Sequence, residues 1–93
     1  MNPLLALFAA NLGEDDANRT ATIGDSLYVC FGNDPAVLKI TCVPQGSGEV
    51  KVTFQTTHPE HGPIDSVSFT QTRSQDFSAA LERLEAYQSI WFF

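Results

Sequence analysis

Apolar and polar residues alternate most regularly between Ser26 and Val43, SLYVCFGNDPAVLKITCV. The pattern predicts two β-strands joined by a tight turn at Gly32-Asn33-Asp34-Pro35, residues that each favour chain reversal for a backbone reason of their own. With Phe31 opposite Ala36, Val29 falls opposite Leu38 and Leu27 opposite Ile40. Side chains alternate between the two faces of a strand. These four apolar residues therefore share one face, and a single register satisfies both strands.

Elsewhere the period changes. Asn2 and Pro3 suit an N-cap and a first helical position. Leu4, Leu5, Leu7, Phe8 and Leu12 follow at helical spacing, and Gly13 is expected as the C′ stop, which predicts a helix over 3–12. So short a helix is unstable alone in water, so it must dock. Glu14-Asp15-Asp16 follows as an acidic loop at the unfavourable end of that helix's dipole. Thr20–Ile23 reads as a short strand, turned at Gly24-Asp25 by a glycine-first two-residue loop. Pro44 to Glu49 reads as a flexible polar turn. Val50, Val52 and Phe54 alternate with Lys51, Thr53 and Gln55 as an amphipathic strand. His58 to Pro63 breaks regular structure, and Ile64–Thr70 alternates again. Ser74 or Asp76 can cap a last helix, with Phe77, Ala80, Leu81, Leu84, Tyr87 and Trp91 as its apolar stripe.

The assembled expectation is one α+β domain over residues 1–93. Four to five antiparallel strands form a meander, flanked by an N-terminal and a C-terminal helix packed on one face. Leu27, Val29, Phe31, Leu38, Ile40, Cys42, Val50, Val52, Phe54, Val67 and Phe69 would form the inner face. The other would carry Tyr28, Cys30, Val37, Lys39, Thr41, Lys51, Thr53, Gln55, Ser66 and Ser68. An antiparallel sheet can leave such a face in water.

Composition narrows the function. An apolar fraction of 43% and a charged fraction of 17% suit a globular chain rather than disorder. Five Lys and Arg against eleven Asp and Glu give a formal charge of −6. That balance disfavours direct nucleic-acid binding, which depends on cationic neutralisation of phosphates, and either favours a basic protein partner or keeps the protein soluble and monomeric. In the hairpin register Cys30 faces Val37 and Cys42 faces Asp25. The sulfurs then lie on opposite faces, about 16 Å apart at ~3.3 Å per residue, beyond the reach of a disulfide. Free thiols and a reducing, cytoplasmic setting are expected. No basic region precedes the first apolar run, so a signal peptide is not expected. No run approaches the ~20 apolar residues of a membrane span.

Catalytic chemistry finds little footing. His58, Glu60 and His61 are ligand types, but Pro59 and Gly62-Pro63 deny them a helical turn and no further ligand is near. A solvated loop is expected, with no metal or other cofactor. Cys30 sits mid-strand in an acidic chain, whereas reactive thiols need a positive surrounding. Cys42 reads as core. Asp25, Asp34 and Asp65 lie in or beside turns, where aspartate serves the backbone. Gly46-Ser47-Gly48 lacks the Lys-Ser/Thr of a phosphate loop. No activated nucleophile–base pair is visible, so an enzyme is not expected.

Interaction signals are stronger. The wet sheet face mixes Tyr28, Cys30 and Val37 with Lys39 and Thr41, and exposed apolar patches mark contacts. The chain ends in Trp91-Phe92-Phe93, and aromatics dominate interface energetics. The competing reading folds Trp91 and one Phe back into the core. An amphipathic helix at each end could also meet its symmetry mate in a homodimer.

The opening PLLALFAANLG, followed by an acidic loop and strands, resembles the start of class I type III secretion chaperones. That family consists of small acidic α/β homodimers that hold a partially unfolded effector and do no chemistry. Its members run longer and place a dimerisation helix between the third and fourth strands. Here only a Pro- and His-containing loop separates Phe54 from Ile64.

The function expected from the residues is non-catalytic protein binding, of adaptor, chaperone or inhibitor type. Its surfaces would be the open sheet face (Tyr28, Cys30, Val37, Lys39, Thr41) and the terminal Trp91, Phe92 and Phe93. The alternative is a small acidic inhibitor that imitates nucleic-acid charge, as phage-encoded proteins do. That alternative requires Glu14, Asp15, Asp16, Asp25, Asp34, Asp65, Glu82 and Glu85 to gather on one side.

Overall fold

The structure is a computed structural model and describes residues 2–72 and 74–92. Among them are two helices and five strands: α1 (Pro3–Gly13), β1 (Asn18–Ile23), β2 (Ser26–Phe31), β3 (Val37–Gly46), β4 (Glu49–His58), β5 (Gly62–Gln71) and α2 (Phe77–Trp91). The strands form one antiparallel meander in the order β1-β2-β3-β4-β5. Among the described residues no helix is long and apolar enough to cross a membrane.

The central hairpin has the register that its alternation demands. Leu27 pairs with Ile40, Val29 with Leu38 and Cys30 with Val37. Its ladder closes at Cys30–Val37, one pair short of the expected Phe31–Ala36, and the Ala36 N–H is used within the turn instead. Asp34 holds the turn, its Oδ1 accepting from the Ala36 N–H at 2.9 Å. Gly24 takes a left-handed φ of 60° in the two-residue loop before Ser26.

Two expected loops are shorter than the sequence suggests. The Pro44–Glu49 segment is mostly strand, and only Ser47 and Gly48 turn, at φ 54° and 76°. Positive φ at both central residues is the turn whose twist matches a tight hairpin. A bulge at Gln45 absorbs the odd residue, since Pro44 pairs with Val50 and Gly46 with Glu49. Likewise β4 runs on to His58 and β5 starts at Gly62, with Ile64 as the extra residue between the Thr56–Asp65 and Thr57–Pro63 pairs. Pro63 fits at the strand's end, where a missing N–H costs least.

Both helices lie against the same face of the sheet. Asn2 caps α1, its side chain accepting from the Leu4 N–H at 2.8 Å. Gly13 does not take the left-handed C′ role; it ends the helix at right-handed φ, and Glu14 is the C-cap. The Asn18 side-chain amide donates to the Leu12 carbonyl at 3.0 Å and satisfies one of the helix's orphan acceptors. Leu5, Phe8 and Leu12 of α1 are buried, while Leu7 stays 48% exposed. Asp76 caps α2, accepting from the Ser78 N–H. Ala80, Leu84 and Tyr87 are buried beneath α2, with Phe77, Leu81 and Trp91 half-buried around them.

Phe54 is the hub of the core. It meets Phe8, Phe69 and Tyr87 at ring-centroid distances of 5.9, 5.4 and 5.5 Å. The expected inner-face residues of β2 and β3 are buried, as are Val52 and Phe54, with Val50 and Phe69 partly so. Val67 departs from expectation. It has inner-face parity opposite Phe54 yet is 41% exposed. An open groove lined by Val67, Phe69, Arg83 and Ile90 separates the rim at β5 from α2, so that rim is incompletely covered.

Candidate interaction surface

The face away from the helices is built by strand alternation alone. The registers align its residues in rows across the sheet: Arg19, Cys30, Val37 and Thr57; then Ala21, Tyr28, Lys39, Gln55 and Ser66; then Ile23, Ser26, Thr41, Thr53 and Ser68. A fourth row holds Val43, Lys51 and Thr70. Tyr28, Cys30, Val37, Lys39 and Thr41, the residues expected to bind a partner, thus sit together on β2 and β3, each half-buried by its neighbours. Arg19, Ala21 and Ile23 join them from β1. Their signal was present in the two-residue Gly24-Asp25 loop, which sets Ile23 against Ser26 and hence Ala21 against Tyr28.

The hydroxyls bond to one another across strands: Ser26 Oγ to Thr41 Oγ1 at 3.2 Å, and Thr53 Oγ1 to Ser68 Oγ at 2.9 Å. The Lys39 ammonium lies over the Tyr28 ring, 5.8 Å from its centroid. A shallow depression of about 230 Å³ opens between Arg19, Thr20, Ala21, Tyr28 and Cys30.

Charge on this face opposes that of the chain. Arg19, Lys39 and Lys51 point to it by strand parity. Among the described residues the only carboxylate of the same parity is Glu49, at the β3–β4 turn. The remaining acids lie on turns, on α2 or on the helix side. They do not gather on one side as the charge-mimic alternative requires. Asp34 and the Glu14–Asp16 loop lie at one end of the strands and Asp25 at the other. Asp15 also serves its own loop, its Oδ1 accepting from the Ala17 N–H at 2.9 Å.

The terminal aromatics are placed differently from the surface proposed for them. Phe92 is 5% exposed, and its ring meets Phe31 at 4.7 Å. Trp91 is half-buried, and its Nε1 donates to Asp65 Oδ2 at 3.0 Å. The fold-back reading therefore describes both residues. Phe93 lies outside the described residues. Asp65 is thereby corrected as well: it stands within β5 and serves an indole rather than a turn.

The groups considered for chemistry are dispersed. His58 and His61 stack at 4.6 Å, and His58 Nδ1 accepts from the Glu60 N–H, which orders the β4–β5 turn. Among the described residues no group of three His, Cys, Asp or Glu is placed to hold a metal ion. Cys30 and Cys42 are free and lie on opposite faces. Burial pushes the Cys42 thiol up to about 12. Comparison with known protein families, curated proteins and solved structures finds no match for this chain.

Proposed function

We propose that this chain is a non-catalytic protein-binding module whose open sheet face receives an acidic segment of a partner protein. The observation that carries the reading is the charge of that face: it sets Arg19 and Lys39 beside Tyr28, with Lys51 two rows further along the same face, in a chain of net charge −6. Net charge alone suggests a basic partner. The face that lacks a helix suggests the opposite sign, because local complementarity fixes docking and register. Tyr28, Ala21, Cys30 and Val37 supply apolar area beside the cations, and tyrosine joins an apolar body to a polar tip as interfaces favour. The terminal aromatics are left out of the binding surface, since Phe92 is already spent on the core.

The test begins with capture of partners from the native host and continues with the purified partner. Tyr28→Ala, Arg19→Glu and Lys39→Glu are compared with wild type by calorimetric titration at low and high salt. Each variant should weaken binding at least tenfold, while its circular dichroism stays native, and binding should weaken as salt rises. Undiminished binding by all three variants overturns the assignment. So does a preference for single-stranded oligonucleotide over the protein segment.

A further inference from the structure

The two rims of the sheet are unequally protected. β1 is six residues long and carries Arg19. β5 is ten residues long, and its only charged side chain, Asp65, is engaged by Trp91. Pro63 and the bulge at Ile64 guard only the turn end, so among the described residues 66–71 form an edge with no neighbouring strand on its outer side. Long edges without such protection template pairing with another strand. Beside this rim, Val67 and Ile90 are 41% and 61% exposed and help to line an apolar groove of about 300 Å³.

We propose that β5 is a homodimerisation strand, pairing antiparallel with β5 of a second copy about a two-fold axis at Val67. A two-fold contact presents the same patch twice, so it must be self-complementary, and this register is. It sets Val67 against Val67 of the second copy and Asp65 against Phe69. The Arg83 guanidinium lies over the Phe69 ring at 4.7 Å. Each Asp65 carboxylate therefore meets the Arg83 of the other copy, twice over, on the helix side of the sheet. Moving the axis to Ser66 leaves Asp65 facing Val67, and moving it to Phe69 brings the two arginines together. Arg83, Ala86 and Ile90 follow helical spacing along the groove. Side chains of α2 already reach β5, Arg83 to Phe69 and Trp91 to Asp65, so the two α2 helices would approach each other across the new seam. Ala86 is small enough for that approach, and Ile90 fills the groove. The result is one continuous sheet made from two five-stranded halves. The inference does not rest on the open-face reading.

Sedimentation equilibrium of the purified chain tests it. Wild type should show twice the chain mass. Val67→Lys and Arg83→Glu should each halve that mass while the circular dichroism spectrum stays native. In a Cys30→Ser background, Val67→Cys should cross-link under mild oxidation, while Ile64→Cys, which the register places opposite Thr70, should not. A monomeric wild type at millimolar concentration overturns the proposal. A dimer untouched by both charge variants, or Ile64→Cys cross-linking as readily as Val67→Cys, does the same.

Discussion

Replacing Phe92 by alanine separates a core role for the C-terminal segment from an interface role. The ring is 5% exposed and rests on Phe31 at 4.7 Å with a tilt of 53°. Its backbone N–H closes the helix on the Gln88 carbonyl at 2.8 Å, and alanine would keep that bond. Removing a buried Phe side chain costs roughly 3–5 kcal/mol, the transfer term plus a cavity term. Here the ring borders a solvent-facing depression shared with Asp15, Asn33 and Gln88. Water can enter the vacated space, so the cost should fall at the lower end, about 3 kcal/mol. Small domains hold ~5–15 kcal/mol in total. At ~4–8 °C per kcal/mol, the melting temperature should drop by roughly 12–24 °C. Urea unfolding followed by circular dichroism reads the effect, with a lower midpoint and an unchanged slope. Phe92→Leu, which keeps most of the apolar volume, should lose only about 1 kcal/mol. A Phe92→Ala protein with the wild-type urea midpoint would refute the argument and return the terminal aromatics to the surface.

Three further outcomes are expected. Tyr87 and Thr56 share a buried hydroxyl bond of 2.6 Å, so Tyr87→Phe should cost about 1–3 kcal/mol by stranding the Thr56 hydroxyl. Combining it with Thr56→Val should cost less than the sum of the two, read as a double-mutant cycle in urea. Burial raises the Cys42 thiol from 9.0 to about 12. The unfolded chain then releases its proton first, so this contribution is complete below pH 9 and is lost as pH rises toward 12. Burial raises Tyr87 as well, with the same sign above 10.0. Cys42→Ala should therefore show a shallower fall of the urea midpoint over that alkaline range, and parallel curves would contradict it. Ser47 holds φ 54° in the β3–β4 turn. Asparagine tolerates that conformation better, so Ser47→Asn should raise stability by roughly 0.5 kcal/mol in the same assay.

Much of the open face could be read before the fold was known, because its grouping needs only a register. Leu27, Val29, Leu38 and Ile40 agree on a single pairing, and that pairing fixes Tyr28, Cys30, Val37, Lys39 and Thr41 on the other side. The two-residue Gly24-Asp25 loop carries the register into β1, although β1 alternates too weakly to announce itself. The loops were harder. Ser47-Gly48 and Pro59–His61 are short turns flanked by bulges, and a bulge hides inside any polar stretch because it breaks the period of two.

Local rules within the chain settled the strands, their order of pairing, the N-cap of α1 and the side on which each strand residue falls. These depend on backbone preferences and on alternation, which act over a few residues. Packing between distant segments settled the rest. Phe92 is core because Phe31, sixty-one positions earlier, comes to lie beneath it. Val67 is exposed because α2 covers the last strand only in part and leaves a groove between them. Arg19, Lys39 and Lys51 share a face that the acids largely avoid, since strands remote in sequence were brought side by side. No local pattern encodes where a helix axis will cross a sheet, for that is decided by the summed fit of side chains from both.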